Sequence, residues 1–325
     1  MDGFVMNPLI LITGAGGFTG RHACAHFRRS GMRVAALLRS KQTAPLEADQ
    51  RHICDLLDLK RLREIVLKLQ PDYILHLAGV NDVARSWEDP LSCLESNIRG
   101  TLHLLTAVLE LAPMKPRILV AGSSHSFPPG EDPPQPNHPY ALSKTVQALI
   151  SRSWSHLYGL PVIVAEPSNL IGPGASAGIC GLLADYVARW EQGICDAPFR
   201  FSSLTEKRNF LDVRDAVQAY EKLLLHGTPG GLYPIGSPET RSLGEVLDSF
   251  RRAAGRDFPY IDLQSPPRDD DPQPLDLKPL VDLGWSPRIP FDRSIRDILN
   301  DARSRLKETG KTKNKPVREE VADDS

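Results

Sequence analysis

A tyrosine and a lysine four residues apart are the pair of side chains best suited to proton transfer in this sequence. Tyr140 and Lys144 fall at the start of a predicted helix, where a spacing of four places both side chains on one face. A phenol has a pKa of about 10 in water, and a neighbouring ammonium lowers that pKa by favouring the phenolate. The pair therefore predicts a group that donates or accepts a proton near neutral pH.

A glycine-rich loop follows a short apolar strand, Leu9 to Thr13, and opens a helix that is predicted to run to about Arg29. The loop contains Gly14, Gly17 and Gly20. Glycine permits a tight turn and lets backbone N–H groups and the helix N-terminus approach a pyrophosphate. The strand and the helix on either side favour a dinucleotide site over the alternative, a tight turn that only packs the helix closely.

The end of the second predicted strand, Arg33 to Leu38, indicates which dinucleotide is bound. A carboxylate there would accept hydrogen bonds from a ribose 2′-hydroxyl, whereas cations pair with a 2′-phosphate. No acid is present, and Arg39 follows the strand with a planar fork of donors suited to phosphate. We therefore predict NADP(H) rather than NAD(H). The alternative is a solvated basic turn.

Two further positions are placed for contact with ligands. Ser123 follows a strand predicted at Arg117 to Gly122, and ligands of an α/β sheet gather outside the carboxyl ends of its strands. Its hydroxyl is placed to hydrogen-bond an oxygen that is being oxidised or reduced. Asp55 and Leu56 are placed to meet the adenine edge, although Asp55 equally fits a helix cap.

The candidate residues lie in a sequence pattern of strands that alternate with helices, and these elements must position them. The remaining predicted elements are strands at Tyr73 to Ala78 and Pro161 to Ala165 and helices at Asn97 to Leu111 and Tyr140 to Tyr158. Such alternation implies right-handed crossovers and a parallel, doubly wound sheet. The fold class is therefore predicted to be α/β, of the Rossmann type.

The length of 325 residues exceeds one typical domain. We expect a dinucleotide-binding domain at 1–167, to which the chain returns at about 206–238. Gly- and Pro-rich loops predict a smaller C-terminal α/β substrate lobe at 168–205 and 239–306. The charged segment 307–325 is expected to be disordered.

Composition excludes several classes of protein. Lys and Arg total 39 against 40 Asp and Glu, so there is no electrostatic signature of a nucleic-acid binder. We find no signal peptide pattern and no apolar run of membrane-spanning length, and we expect a cytoplasmic protein without a membrane partner. The five cysteines have no metal-ligand spacing, which predicts reduced thiols and no metal site.

Several motifs together resemble the nucleotide-sugar branch of the extended short-chain dehydrogenases/reductases, within the NAD-dependent epimerase/dehydratase family. The motifs are TGAGGFTG from Thr13, HLAG from His76, NIRGT from Asn97, Ser123-Ser124, PYALSK from Pro139, NLIGPG from Asn169 and RNFLDVRD from Arg208. The resemblance covers residues from about Leu9 to Leu306, and within the branch it is strongest to the group of GDP-mannose 4,6-dehydratase and GDP-4-keto-6-deoxymannose reductase.

The resemblance implies roles for individual residues. Ser123, Tyr140 and Lys144 would form the catalytic triad, with Lys144 also on the nicotinamide ribose. Arg268 would meet the diphosphate or ribose of the substrate, because the fork of donors on its guanidinium matches phosphate oxygens. The alternative for both Arg268 and Arg208 is a surface salt bridge. The expected cofactor contacts are Gly14, Gly17, Phe18, Thr19, Gly20, Arg39, Ser40, Asp55, Leu56, Leu77, Ala78, Gly79, Asn97, Tyr140 and Lys144. The expected substrate contacts are Ser124, Asn169, Arg208 and Arg268.

The sequence departs from the family pattern near the sugar pocket. His125 stands where the dehydratases of this group carry a glutamate, and plain 4,6-dehydratase chemistry needs a base for the C5 proton and an acid for the C6 hydroxyl. Imidazole takes and gives protons at neutral pH, so His125 is a candidate catalytic residue; the alternative is a polar loop residue. His138 is a further candidate for this pocket. Phe127 replaces the usual Tyr and Glu166 the usual Arg, which predicts a substrate other than the commonest one.

These features predict an NADPH-dependent reductase of a 4-keto (6-deoxy) nucleotide-diphosphate sugar, most readily a GDP-sugar. The first alternative is a redox-neutral epimerase or 4,6-dehydratase that keeps its cofactor tightly bound. A second alternative, an inactive binding protein with the same fold, is disfavoured by the intact triad. Relatives in this family also imply a homodimer.

Overall fold

The computed structural model describes residues 7–41, 46–111, 114–127, 130, 133–265 and 272–313. The chain divides into two compact units. The first contains the chain up to Leu170 together with Arg208–Thr240 and Asp271–Ile289, and the second contains Ile171–Lys207, Arg241–Asp270 and the chain from Pro290. The segment Asp271–Ile289 therefore belongs to the first unit, whereas the sequence pattern predicts it in the smaller lobe.

The strands and helices follow each other along the chain as two interleaved series. The strands are β1 (Leu9–Thr13), β2 (Arg33–Leu38), β3 (Gln50–Ile53), β4 (Tyr73–His76), β5 (Arg117–Ala121), β6 (Val162–Pro167), β7 (Asn169–Ile171), β8 (Phe199–Phe201), β9 (Lys207–Asp212), β10 (Leu232–Ile235), β11 (Thr240–Ser242) and β12 (Tyr260–Asp262). The helices are α1 (Phe18–Arg29), α2 (Leu59–Leu69), α3 (Val83–Glu88), α4 (Pro90–Leu94), α5 (Gly100–Leu109), α6 (Pro139–Tyr158), α7 (Ile179–Glu191), α8 (Val213–His226), α9 (Leu243–Ala254), α10 (Lys278–Asp282) and α11 (Phe291–Lys313).

A seven-stranded sheet forms the centre of the first unit. Its strand order is β10-β6-β5-β4-β1-β2-β3, and the neighbouring strands pair in parallel. The order 3-2-1-4-5-6 within it is that of a doubly wound dinucleotide-binding sheet. The predicted Rossmann fold is confirmed.

Both faces of this sheet are covered, which explains why β1 is an uninterrupted apolar run. Successive side chains of a strand point to opposite faces. Ile10 and Ile12 therefore pack into the core that includes α1 and α8, while Leu9 and Leu11 pack into the core that includes α2 and α5. The carboxyl ends of the strands are held in register at one edge of the sheet.

Several boundaries differ from the predicted ones. β4 ends at His76 rather than at Ala78, which leaves the following residues free of the sheet. The helix predicted from Asn97 begins inside a π-helical segment, Glu95–Arg99, which continues directly into α5. β3 has the sequence QRHI and lies at the sheet edge with mostly exposed side chains, so it lacks the apolar pattern by which the other strands are predicted.

The second unit consists mainly of helices. In it α11 packs against α7 and α9, and β12 pairs with β8 in parallel. α11 continues to Lys313, so the beginning of the segment expected to be disordered is helical. Among the described residues, no helix has both the length and the apolar character needed to cross a membrane.

Candidate active site

The turn from Gly14 to Gly20 connects β1 to α1 and packs closely against its surroundings. Gly14 has φ of +65°, and a Cβ atom at this position would lie 2.7 Å from the backbone nitrogen of Ala78. A Cβ atom on Gly20 would overlap the carbonyl oxygen of Gly14. Only glycine fits at these two positions.

The N-terminus of α1 is open to an anion. Gly17 is the N-cap residue, and no side chain of the described residues caps the helix there. Free N–H groups and the helix dipole favour a phosphate at such an end. The Nε of Arg21 donates to the carbonyl oxygen of Gly16 at 3.1 Å, which places a guanidinium beside the turn. Sequence reasoning missed Arg21, whose signal is a cation directly after the last glycine.

The residues expected to distinguish NADP(H) lie at the same edge of the sheet as this turn. β2 pairs in parallel with β1, with Leu37 opposite Thr13. Arg39 and Ser40 come directly after β2 and are exposed. Their position leaves the guanidinium accessible to a phosphate.

The residues expected at the adenine edge follow β3. The carboxylate of Asp55 accepts a hydrogen bond from the backbone of Leu57 at 2.9 Å, and the cap of α2 is Asp58. The alternative of Asp55 as a helix cap is therefore wrong. Leu56 packs beneath Gly100: a Cβ atom added to Gly100 would lie 3.3 Å from the Cβ of Leu56.

The three residues of the expected triad are buried. Ser123 is 5% exposed, and Tyr140 and Lys144 are each 6% exposed. Ser123 follows β5, while Tyr140 and Lys144 lie on the first turns of α6. The Nζ of Lys144 donates to the carbonyl oxygen of Ala121 and to the Oε1 of Gln147, each at 2.9 Å.

Burial sets the ionisation of this site. It raises the pKa of Tyr140, and the Ser123 hydroxyl beside the phenol opposes this only in part. It also lowers the pKa of Lys144 to about 8. The expectation that Lys144 lowers the pKa of Tyr140 is wrong for the protein alone, because loss of solvation is the larger effect. At neutral pH the phenol is therefore protonated.

The loop after β4 is held against the site by Asn97. The amide nitrogen of Asn97 donates to the carbonyl oxygen of Val80 at 3.0 Å and to Ser143 Oγ at 2.8 Å, and its oxygen accepts from the Val80 backbone at 2.8 Å. A Cβ atom on Gly79 would overlap this oxygen and would lie 3.8 Å from the Nζ of Lys144. Asn97 is fully buried, and it shapes the loop of Leu77, Ala78 and Gly79.

Two histidine rings lie beside the phenol of Tyr140. The Nδ1 of His138 accepts a hydrogen bond from the backbone of Ala141 at 2.9 Å, which makes His138 the N-cap of α6. Its ring stacks on Tyr140 with centroids 5.8 Å apart. The ring of His125 lies 5.6 Å from that of His138 and 6.3 Å from that of Tyr140, and its backbone donates to Ser123 Oγ at 3.1 Å. His125 therefore lies close to both Tyr140 and Ser123.

A known protein family matches most of this chain. The NAD dependent epimerase/dehydratase family matches residues 10–236. The chain belongs to this family. GDP-6-deoxy-D-mannose reductase from Pseudomonas aeruginosa is 30% identical, over 93% of this chain and 100% of its own length.

Solved structures of similar proteins share the fold of this family member. RMD from Pseudomonas aeruginosa, complexed with NADPH, has a TM-score of 0.78 at 29% identity, covering 92% of this chain and 99% of its own. UDP-glucose 4-epimerase from Thermus thermophilus, complexed with NAD, has a TM-score of 0.77 at 26% identity, covering 91% and 99%. The predicted family resemblance is confirmed.

The expected substrate residues of this epimerase/dehydratase chain lie in three places. The amide nitrogen of Asn169 donates to the carbonyl oxygen of Asn209 at 3.1 Å, and the half-buried Arg208 precedes Asn209 in β9. Ser124 is exposed beside Ser123. Arg268 lies outside the described residues. Glu166 is at the carboxyl end of β6, where burial raises the pKa of its carboxyl group.

Asn209 is a buried residue beside Asn169 that the sequence analysis did not single out. Its amide nitrogen donates to the carbonyl oxygen of Ser237 at 2.7 Å, and its oxygen accepts from the Ser237 backbone at 2.9 Å. This pair of bonds joins β9 to the loop after β10. The only signal in the sequence is its position beside Arg208. Among the described residues, no group of three or more His, Cys, Asp or Glu side chains is arranged to hold a metal ion.

Proposed function

We propose that this chain is an NADPH-dependent reductase of a 4-keto (6-deoxy) nucleotide-diphosphate sugar, most readily a GDP-sugar. The observation that carries the proposal is a buried triad of Ser123, Tyr140 and Lys144 whose phenol is protonated at neutral pH. The similarity to GDP-6-deoxy-D-mannose reductase over its whole length supports the same reaction class.

The residues present fit a dinucleotide. The glycine turn leaves no room for a Cβ at Gly14 or Gly20 and opens onto an uncapped helix end among the described residues, which suits a pyrophosphate. Phe18 and Thr19 begin that helix, and Arg39 with Ser40 would hold the 2′-phosphate. NADPH, when bound, supplies the hydride for the reduction.

The side chains of the triad divide the remaining work between them. The Tyr140 hydroxyl donates its proton to the carbonyl oxygen of the substrate as that oxygen gains negative charge. The Ser123 hydroxyl donates a hydrogen bond to the same oxygen and polarises it. Two N–H groups of Lys144 are directed to Ala121 and Gln147, and the third is the donor that we assign to the nicotinamide ribose.

Substrate recognition is proposed for the residues that the family resemblance implies. Asn169, Arg208 and Ser124 would contact the sugar and its diphosphate, as would Arg268. His125 lies close enough to Tyr140 to carry a proton to or from the sugar ring. The proposal includes His125 as a further catalytic residue.

The alternative is a redox-neutral epimerase or 4,6-dehydratase that regenerates a tightly bound cofactor in each cycle. It is favoured by the similarity to UDP-glucose 4-epimerase. The histidine at position 125 argues against dehydration, since the dehydratases that this chain resembles carry a glutamate there. Purified protein that carries a bound dinucleotide, and that turns over a sugar nucleotide without net loss of NADPH, would support this alternative.

A cytoplasmic homodimer is part of the proposal. The dimer is supported by apolar side chains that α6 exposes to solvent, since apolar patches mark sites of association. Leu149 is 41% exposed, Leu157 64% and Tyr158 53%. The proposed partners are a second copy of the chain and the sugar nucleotide, with no nucleic acid and no membrane.

The test is incubation with NADPH and a panel of GDP-, dTDP-, UDP- and CDP-linked 4-keto-6-deoxy sugars, with the products identified by NMR. We expect NADPH consumption and a reduced sugar, and Tyr140→Phe lowers kcat about 10²- to 10⁴-fold because the proton donor is lost. Tyr158→Phe, at the exposed end of the same helix, is the matched control and retains full activity. Failure to turn over any keto-sugar nucleotide would sink the proposal.

A further inference from the structure

A continuous chain of buried hydrogen bonds connects the catalytic lysine to the first strand of the sheet. We define the relay as Thr13, His76, Thr101 and Gln147, each 0% or 1% exposed. Thr13 Oγ1 lies 2.8 Å from His76 Nδ1, and His76 Nε2 lies 2.9 Å from Thr101 Oγ1. Gln147 Nε2 donates to Thr101 Oγ1 at 2.7 Å, and Gln147 Oε1 accepts from Lys144 Nζ at 2.9 Å.

The hydrogen positions in the relay follow from its connections. Thr101 donates its hydroxyl hydrogen to the carbonyl oxygen of Asn97 at 2.6 Å, so its oxygen accepts from both Gln147 and His76. His76 therefore carries its hydrogen on Nε2, and its Nδ1 accepts from the Thr13 hydroxyl. Thr13 in turn accepts from the backbone of Ala78 at 3.2 Å. Each donor in the chain has one acceptor.

The relay carries no net charge. Burial lowers the pKa of His76 to about 3, and the proximity of Lys144 acts in the same direction. Among the described residues, the buried Cys93 thiol of α4 also affects the pKa of Lys144. A charged amine is therefore solvated here by neutral dipoles, which must be correctly oriented to stabilise it.

The orientation of the Gln147 amide depends on the rest of the relay. Its oxygen faces Lys144 because its nitrogen has an acceptor in Thr101. With the amide reversed, N–H groups would face the ammonium, and two donors would meet without an acceptor. The neighbouring side chains thus determine which end of the amide the lysine meets.

The far end of the relay touches the glycine turn. A Cβ on Gly14 would lie 2.7 Å from the backbone nitrogen of Ala78, the same nitrogen that donates to Thr13. The turn that fits the pyrophosphate and the amine of Lys144 are therefore joined through four buried side chains. Packed interiors transmit such displacements because they contain little free space.

We propose that Gln147 is a positioning residue, which holds the Lys144 amine at the site and joins it through the relay to the glycine turn. This inference rests on the proposed function, because the amine is assigned there to the cofactor ribose. Gln147 acts through Lys144 and contacts neither substrate nor cofactor.

The test measures the lysine directly, without substrate or cofactor. Protein labelled with ¹³C,¹⁵N-lysine reports the titration of Lys144 by NMR, with the signal assigned by its loss in Lys144→Met. Gln147→Glu places a carboxylate where the amide oxygen lies, and we expect the pKa of Lys144 to rise by about one to three units. Ser153→Glu adds the same charge at an exposed position of the same helix and leaves the Lys144 titration unchanged.

The pH dependence of turnover gives a second readout. Reduction needs protonated Tyr140 and Lys144, so kcat of the unmodified protein falls as the pH rises through the lysine pKa. In Gln147→Glu this fall moves to higher pH by the same shift as the NMR titration, while KM for the sugar changes less than about twofold, because Gln147 does not contact the substrate. A purely structural role would lower kcat at every pH without moving the profile, and that result would overturn the proposal.

The outcomes for the relay and for the proposed function are separable. An unchanged Lys144 titration in folded Gln147→Glu overturns the positioning role even when the protein reduces keto-sugars. A shifted titration supports the role even when no keto-sugar is reduced, and that combination contradicts only the proposed substrate. Should Gln147→Glu fail to fold, Gln147→Met removes the acceptor with little change of shape, and the pKa of Lys144 is then expected to fall.

Discussion

Tyr140 and Lys144 are both buried, and burial favours the neutral form of each. A phenol that keeps its proton is suited to donate that proton to a carbonyl oxygen during reduction. An amine whose pKa is about 8 is still largely protonated at neutral pH, so in the proposed reduction it would stabilise the phenolate that the proton transfer leaves behind. The sequence spacing brings the two residues together, but the loss of water determines their charges.

Arg39 gives a prediction for cofactor choice at the scale of one residue. Its guanidinium is exposed after β2, at the edge where the glycine turn lies. We expect Arg39→Ala to weaken NADPH binding about tenfold or more, because a charge-assisted hydrogen bond to phosphate contributes about 1.5–3 kcal/mol. NADH binding stays unchanged, and fluorescence titration with each cofactor measures both. Lys41→Ala is the control and has a smaller effect. Equal weakening for the two cofactors would show that Arg39 does not recognise the 2′-phosphate.

At the scale of the element, the start of α6 has to present the phenol and the amine in fixed directions. His138 caps this helix through its ring nitrogen, and the backbone of Tyr140 donates to Ser86 Oγ at 3.2 Å. Pro139 occupies the first helical position, where its fixed backbone angle is already helical. The first turn of α6 is thus held by the His138 side chain, by Pro139 and by one hydrogen bond to Ser86 of α3.

The cap of α6 gives the second prediction. His138→Ala removes the acceptor for the backbone of Ala141, and we expect it to lower the free energy of unfolding by about 1 kcal/mol. His138→Asn keeps a capping oxygen and is expected to retain most of that stability. Both variants lose the ring that stacks on Tyr140, so their difference isolates the cap. Urea unfolding of the two proteins measures it, and equal midpoints would contradict the capping role.

Sequence patterns predict most elements of the first unit but not all of their boundaries. The apolar run of β1 and the glycine spacing after it are local features, and both are found as predicted. The π-helical segment Glu95–Arg99 has no comparable pattern. It places Asn97 against the loop after β4, and such segments occur often at functional sites.

For the whole molecule, the sequence pattern predicts the central sheet but does not predict which segments belong to each of the two units. The parallel sheet of the first unit follows from alternating apolar strands and amphipathic helices. The allocation of Asp271–Ile289 to the first unit does not follow, since this segment continues a Pro-rich loop in the sequence. Its place depends on contacts with distant residues: Trp285 donates to the carbonyl oxygen of Asp215 at 3.0 Å, and the Asp215 carboxylate accepts from the backbone of Arg288 at 2.9 Å.

The stability of the protein in acid gives a prediction for the whole molecule, because the measured quantity is the free energy of global unfolding. Burial lowers the pKa of His76 from 6.5 to about 3, so the unfolded chain binds a proton at this residue before the folded protein does. Stability that is fully present above pH 6.5 is therefore lost as the pH falls towards 3. Relative to His76→Gln, the loss is expected to reach about 1.4 kcal/mol per pH unit within this window.

Urea unfolding of both proteins at several pH values tests this slope. The other histidines are common to both chains, so their contribution cancels in the difference. Parallel stability curves for the two proteins would mean that His76 titrates alike in the folded and unfolded states.

The sequence by itself determined the family and the doubly wound sheet, and it singled out the candidate triad, because these depend on local spacing. The glycine turn follows a strand, and Tyr140 and Lys144 share one helical face, whatever the surroundings. The tertiary structure decided the charges and the supports of that site. It raised the pKa of Tyr140 through burial and oriented the Gln147 amide towards Lys144 through Thr101, a residue 46 positions away in the sequence. Solvent exclusion and the contact with Thr101 need segments that are far apart in the chain, and no local pattern contains them.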